Sequence, residues 1–336
     1  MKAAVCEAFG KPLVIKDVPE PSVGPDDVLI RMKGCGVCHS DLHLVDGDWA
    51  DWGTPLPIIP GHEVTGVVEK AGDQVTGLKP GDPVGVPWMQ YACGQCPACR
   101  AGAEMLCPAQ KSTGVTVHGG YAERVKAPAA FTHRIPEGLD LVTAAPLLCA
   151  GITVYSPLRR AGNLAGKTVA VAGIGGLGHL GVRIAAAMGA HVVAIIRGEE
   201  KDALARELGA HEVIDSRKEK AGKQLARKGG ADLILLTGIS AKLFEECIPG
   251  LGPNGTLVVL AAIAEPAKVI PAALLTGQKR IAGSLIGTRD DMDAMLRFAA
   301  DHGIAPIVER HPLGTVNDVL ERMRQGKIRL RAVLTP

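Results

Sequence analysis

The stretch from Thr168 to Arg197 constrains the fold more than any other part of the chain. It opens on an apolar run, Val169 to Ala172, too short for a helix and rich in small and β-branched residues. The run breaks into Gly173-Ile-Gly175-Gly176-Leu177-Gly178, a G-x-G-x-x-G turn. A helical pattern follows (GHLGVRIAAAMGA), and then a second apolar run, HVVAIIR. Strand, turn, helix and strand in that order require two parallel neighbours joined by a crossover helix. The rhythm continues with a helix (EEKDALARELGA) that stops at a glycine, and with strands in ADLILLT, TLVVLAAI and KRIAGSLIG. The predicted fold class is therefore α/β, a doubly wound parallel sheet with helices on both faces. The context also gives the turn its chemistry. Gly173 permits the tight bend, Gly175 and Gly176 let backbone approach a pyrophosphate, and Gly178 allows the helix to lie close to the strand. The helix N-terminus behind Leu177 then faces the phosphates of a dinucleotide.

The first 150 residues have a different texture. Short strand-like runs (VLIRMKGCG, HEVTGVVEKAG, DPVGVP) are broken by glycine and proline, of which the chain has 42 and 23. At 336 residues there is room for two domains. Lys plus Arg number 37 against 35 Asp plus Glu, which offers no electrostatic footprint for nucleic acid or an anionic membrane. No run of apolar residues reaches the length of a membrane span, and the start lacks the apolar core of a secretory signal. A cytoplasmic location follows as an expectation. In a reducing compartment nine cysteines point to metal binding or catalysis rather than disulfides.

Four of those cysteines, Cys93, Cys96, Cys99 and Cys107, stand as C-x2-C-x2-C-x7-C. Four thiolates on one compact lobe satisfy a tetrahedral Zn²⁺ and leave no open position. An iron–sulfur cluster has the same taste for thiolate, but the spacing does not fit the ferredoxin runs. A closed four-thiolate site staples a lobe that lacks its own core. Cys38, His62, Glu63 and Cys149 are joined by no local spacing. Taken singly, each cysteine reads as an ordinary buried thiol and the histidine as structural. Taken together, two thiolates and an imidazole make the three-ligand set of a catalytic zinc with its fourth position open. The end of the second apolar run bears on the cofactor. An NAD site wants an acid there for the ribose 2′-hydroxyl, yet the position is Ile196, followed by Arg197. A guanidinium suits a 2′-phosphate, so NADP(H) is expected over NAD(H), with a solvated surface arginine as the alternative. Glu199 and Glu200 fall at the right distance for the ribose acid but read as the first turn of the next helix.

The motifs CGVCHSDLH, GHE, the four-cysteine lobe, GGYAE, LCAGITVY and GIGGLG together resemble the zinc-dependent medium-chain alcohol dehydrogenase family, nearly end to end. The resemblance implies a Rossmann domain (153–287) inserted in a β-rich, GroES-like catalytic domain (1–152 and 288–336) whose zinc lobe spans about 90–110. It implies two Zn²⁺ per chain. Cys38, His62 and Cys149 match the catalytic zinc ligands, and Glu63 the acid that can approach the zinc during ligand exchange. Asp41 matches the carboxylate that orients the histidine ligand. Ser40 resembles the hydroxyl that takes the substrate proton, and His43 the end of that relay. His39 and Arg331 match contacts to the cofactor pyrophosphate, Thr153 a neighbour of the nicotinamide, and Trp49 and Trp88 walls of the substrate pocket. Tyr121 and Tyr155 match motif positions and are expected to pack, and Trp52 is expected at the surface or pocket rim. The implied activity is interconversion of alcohols with aldehydes or ketones by hydride transfer, in a homodimer or tetramer. A polyol or amino-alcohol dehydrogenase of the same superfamily is the nearest rival, and the Cys38, His62 and Cys149 set disfavours a zinc-free quinone reductase. A zinc-ribbon module on nucleic acid is the distant one, since Arg100, Glu104 and Lys111 form no basic stripe.

Overall fold

The computed structural model describes residues 1–336. The chain divides into two compact units: Met1–Cys149 with Thr288–Pro336, and Ala150–Gly287.

The unit Ala150–Gly287 is built on a six-stranded sheet. Its strands lie in the spatial order Glu212–Asp215, His191–Ile196, Thr168–Ala172, Ala231–Leu236, Leu251–Val259 and Arg280–Gly283. Every neighbouring pair is parallel. The chain visits the strands outward from Thr168–Ala172 in one direction and then in the other, the doubly wound order of dinucleotide-binding sheets. Parallel strands covered on both faces have no solvent side, and so Val169 to Ala172 and Leu233 to Leu236 read as unbroken apolar runs. Ile195, Ile214, Leu225, Phe244 and Leu257 close the core on one side of them. The strand Glu212–Asp215 was not legible in the sequence. It is short, lies at a sheet edge, and buries only Ile214 well. The strand in KRIAGSLIG is the opposite edge, and three of its four residues are exposed or nearly so.

The unit containing both termini has a seven-stranded sheet centred on the long strand Asp27–Val37. That strand pairs antiparallel with Glu63–Ala71, Arg124–Pro128 and the C-terminal Arg331–Thr335. The register sets Gly36 opposite both Glu63 and Val333. Residues from three distant parts of the chain therefore meet where Asp27–Val37 ends, and Cys38 is the next residue. No single helix is long and apolar enough to cross a membrane.

Candidate active site

Cys38 closes the central strand and opens the helix His39–Asp46, which stops at Gly47 in the left-handed conformation (φ 87°). His62 and Glu63 enter the neighbouring strand, and Cys149 ends the turn Ala145–Leu148. All four are buried, and one ligand atom from each falls within 4.8 Å of the others. A purely structural cluster would have its polar atoms paired. Here His62 Nε2 is buried without a hydrogen-bond partner. Its Nδ1 lies 3.3 Å from Asp41 Oδ1, within ion-pair reach though outside hydrogen-bond geometry. A hydrogen bond with Cys149 holds the Cys38 thiol well below its ordinary range. Two sulfurs and an unpartnered imidazole nitrogen, sealed from solvent, are a donor set that Zn²⁺ fits.

Glu63 is the fourth member of the cluster. Burial pushes its carboxyl up to about 7 even with the Arg331 guanidinium against it. Arg331 pairs with Oε1, while Oε2 and Arg331 Nε have no partner. Arg331, expected on a pyrophosphate, is thus found buried against Glu63. Asp41 is likewise buried and takes hydrogen bonds from Cys38 N (2.8 Å), Gly61 N (3.2 Å) and the Tyr121 hydroxyl (2.9 Å). Reading Tyr121 as packing missed this last bond.

Aromatic rings stand beside the cluster. Trp88 meets His62 edge-on at 4.9 Å, and Trp49 meets Trp88 edge-on at 6.0 Å. Trp52, exposed on its outer side, stacks on Trp49 at 4.6 Å and so belongs to the same wall. His43 packs against Trp49, and its Nδ1 lies 2.7 Å from Asp48 Oδ2. Ser40 and His39 occupy the first turn of the helix, the serine half-buried and the histidine exposed.

The four-cysteine lobe is a separate cluster whose ligand atoms also lie within 4.8 Å of one another. Backbone N–H groups aim at its sulfurs: Cys93 N at Cys107 Sγ (3.3 Å), Cys96 N at Cys93 Sγ (3.3 Å) and Cys99 N at Cys96 Sγ (3.4 Å). The N–H groups of Gln95 and Cys96 draw the Cys93 thiol down to about 6, while burial and the Cys96 sulfur push Cys99 up to about 12. Four crowded thiols cannot all ionise alone, and a bound dication lets them do so. Arg289 ties the lobe to the rest of its unit. Its Nε lies 3.1 Å from Glu104 Oε1, its Nη1 donates to Ala130 O, and its guanidinium covers the Phe131 ring at 4.7 Å.

In the other unit the glycine turn has the form its motif requires. Gly173 has φ 100°, barred to most side chains. A Cβ on Gly178 would lie 1.9 Å from Gly173 O, whereas one on Gly175 would meet nothing within 4 Å. The turn is thus tight against its helix and open on the side of Gly175, a cradle that pyrophosphate fits. Thr237, at the end of the adjacent strand, donates to Gly173 O at 2.6 Å and braces the bend. Leu177 precedes the helix Gly178–Ala187. Arg197 is exposed just past Ile196. The nearest acid on the neighbouring strand end, Asp215, is occupied by the backbone N–H of Gly198 at 3.0 Å and that of Arg217 at 3.0 Å. Glu199 and Glu200 lie in a 3-10 turn that leads into the helix Asp202–Glu207, paired with Lys218 and Arg217. Thr153 is buried in the helix Ala150–Arg160.

The alcohol dehydrogenase GroES-like domain model matches residues 24–137, and the zinc-binding dehydrogenase model matches residues 176–301. An alcohol dehydrogenase of Geobacillus stearothermophilus is 44% identical over 339 residues, covering 99% of this chain and 99% of its own. Aldehyde reductase YahK of Escherichia coli K12 is 40% identical over 345 residues, covering 99% of this chain and 97% of its own. The crystal structure of the alcohol dehydrogenase of Aeropyrum pernix superposes with a TM-score of 0.91 at 35% identity, covering 100% of both chains. Relatives match the whole length and each part has a model of its own, so the chain belongs to the zinc-dependent medium-chain alcohol dehydrogenase family.

Proposed function

We propose that the protein interconverts alcohols with aldehydes or ketones, using NADP(H) in preference to NAD(H), with Cys38, His62 and Cys149 holding a catalytic Zn²⁺. The buried, unpartnered Nε2 of His62 between two thiols carries this reading. Bound there, the metal would supply Lewis-acid polarisation of the substrate oxygen, and the nicotinamide would give or take the hydride. The chain's own residues do the rest. Asp41 fixes the imidazole so that Nε2 is presented to the metal. Glu63, a carboxyl raised by burial, is the spare acid within the ligand cluster for ligand exchange. Ser40 Oγ takes the alcohol proton, and His43, held at Nδ1 by Asp48 and partly exposed, hands it to solvent. Trp49 and Trp88 exclude water and favour flat or small apolar substrates over polyols.

The turn Gly173 to Gly178, with Leu177 and Gly176 within it, holds the pyrophosphate, and Arg197 binds the 2′-phosphate that the missing strand-end acid leaves room for. His39, Thr153 and Arg331 complete the cofactor set by family resemblance, with Arg331 also restraining Glu63. Cys93, Cys96, Cys99 and Cys107 hold the second, structural Zn²⁺. Six of the nine cysteines stand in these two clusters, a usage suited to the reducing cytoplasm. The exposed edge strand Arg280–Gly283 supports self-association into a dimer or tetramer. The test is a panel of aliphatic and aromatic aldehydes, each reduced with NADPH and with NADH, before and after chelation. Zinc-dependent reduction that runs faster with NADPH is expected. Reduction that survives complete zinc removal overturns the metal assignment, and faster reduction with NADH overturns the cofactor assignment.

A further inference from the structure

We propose that Tyr121 is a positioning residue for the metal site, acting through Asp41 on His62. The inference rests on the reading above, in which His62 is a zinc ligand. Tyr121 is fully buried and held from every side. Its N–H donates to Pro60 O at 2.9 Å, and its carbonyl accepts from Ala4 N at 2.8 Å. Its ring lies against Gly61, where a Cβ would sit 2.5 Å from Tyr121 Cδ1. The residue before His62 thus leaves room for this ring and has its backbone set by the contact. From that fixed frame the hydroxyl donates to Asp41 Oδ2 at 2.9 Å.

Asp41 joins two metal ligands. Its Oδ2 also accepts from the backbone of Cys38, and its Oδ1 accepts from Gly61 N and faces His62 Nδ1. The two backbone donors are borne by the ligand Cys38 and by Gly61, the neighbour of His62. The Tyr121 hydroxyl is the side-chain donor, borne by a residue distant from both ligands in sequence and anchored through its backbone to Ala4 and Pro60. It adds a third hold on the carboxylate plane, and with it on the ring angle at which Nε2 is presented. Without it Oδ2 keeps one donor and the carboxylate can turn. A tyrosine that merely filled space would need its ring here and not its oxygen, and phenylalanine would then serve equally well.

The experiment is Tyr121→Phe in the zinc-loaded protein, following release of both zinc ions to a chromophoric chelator. One zinc, assigned to the Cys38 site by its loss in His62→Ala, leaves about tenfold faster than in the unmodified protein, within the range for groups that support metal ligands. The zinc of the four-cysteine lobe leaves at its usual rate and serves as the internal reference. In an Asp41→Asn background the same Tyr121→Phe change adds less than twofold, because the path to His62 is already broken. Equal release rates for Tyr121→Phe and the unmodified protein, or a full tenfold effect on top of Asp41→Asn, overturns the proposal. Should Asp41→Asn not fold, cobalt(II) in the Cys38 site decides, since Tyr121→Phe shifts its visible bands and an unchanged spectrum overturns the proposal. A His62→Ala protein that keeps both zinc ions fails the ligand assignment itself and takes this inference with it.

Discussion

The guanidinium of Arg331 and the carboxylate of Glu63 are 268 positions apart and form an ion pair with 4% and 0% of their side-chain surfaces exposed. The pair follows from the register of the central sheet. Ala332 lies opposite Val37, and Gly36 lies opposite Glu63, so Arg331, entering the last strand, is brought to Glu63, entering the strand on the other side of Asp27–Val37. Removing one partner of a buried pair strands the other, at a cost of about 3–5 kcal/mol. Arg331→Met is therefore expected to destabilise its unit by roughly that amount in denaturant unfolding. Adding Glu63→Gln to it should recover part of the loss, because the orphaned acid is gone. A double variant no more stable than Arg331→Met alone would show that the carboxyl is already neutral without its partner.

His62→Ala and Cys38→Ser test the metal site directly. Each removes one donor from a three-donor set, while the four-cysteine lobe keeps its own sulfurs and the backbone N–H groups aimed at them. Zinc content measured by atomic absorption should fall from two per chain to one. Turnover should be lost, while NADPH still binds, as read by quenching of tryptophan fluorescence or by calorimetry. Retained turnover in a variant that holds only the lobe zinc would sink the assignment.

The glycine turn gives two variants with different outcomes. A Cβ at Gly178 would press on the Gly173 carbonyl at 1.9 Å, and backbone cannot step aside as a side chain can. Gly178→Ala should cost about 1–3 kcal/mol of stability and weaken NADPH binding as well. Gly175→Ala meets nothing within 4 Å in the protein itself, so its melting temperature should be unchanged. It should still weaken NADPH binding, because the new methyl occupies the space left for the pyrophosphate. Equal NADPH affinity in Gly175→Ala and the unmodified protein would place the phosphates elsewhere.

Much of this was legible in the sequence, for identifiable reasons. Val169 to Ala172 and Leu233 to Leu236 are buried on both sheet faces, which leaves an unbroken apolar signal, and the Gly173 to Gly178 turn spells its geometry in consecutive residues. The four-cysteine lobe is local and so is its spacing. The Cys38, His62 and Cys149 set is not local, and its residues read as ordinary until resemblance joined them. Nothing in the sequence around Arg331 names Glu63, because a sheet register made that contact. Tyr121 reads as a packing residue, because a tyrosine in GGYAE carries no mark of where its hydroxyl points. Trp52 reads as a surface or rim residue; it is exposed on one face and stacks on Trp49 with the other, a contact that no spacing in the sequence encodes.

Arg289 offers a prediction about the zinc lobe. Its guanidinium grips Glu104 in the lobe and covers Phe131 outside it. The arginine is partly exposed, so solvent screens the pair and the contribution is smaller than at Arg331. Arg289→Ala should lower stability by about 1–2 kcal/mol from the ion pair and the ring contact together. Zinc in the lobe should still be held in full stoichiometry, since no ligand has changed. Loss of the lobe zinc in Arg289→Ala would mean that the clamp, and not only the thiolates, holds the metal.

The cofactor prediction turns on one exposed side chain. Ile196 stands where an NAD site has its acid, Asp215 is already occupied by the Gly198 and Arg217 amides, and Glu200 is paired with Arg217. These contacts leave Arg197 as the charge at the end of its strand. A hydrogen bond between a guanidinium and a phosphate contributes about 1.5–3 kcal/mol. Replacing Arg197 with aspartate removes that attraction and adds repulsion towards a 2′-phosphate, while providing an acceptor for a 2′-hydroxyl. The ratio of kcat/KM with NADPH to that with NADH should therefore fall by at least about tenfold in Arg197→Asp, the change carried mostly by KM for NADPH. Arg197→Ala should lie between the two, because it loses the attraction without gaining the repulsion. A ratio that stays the same in both variants would mean that Arg197 is a solvated surface charge and that the 2′-phosphate is held by other groups.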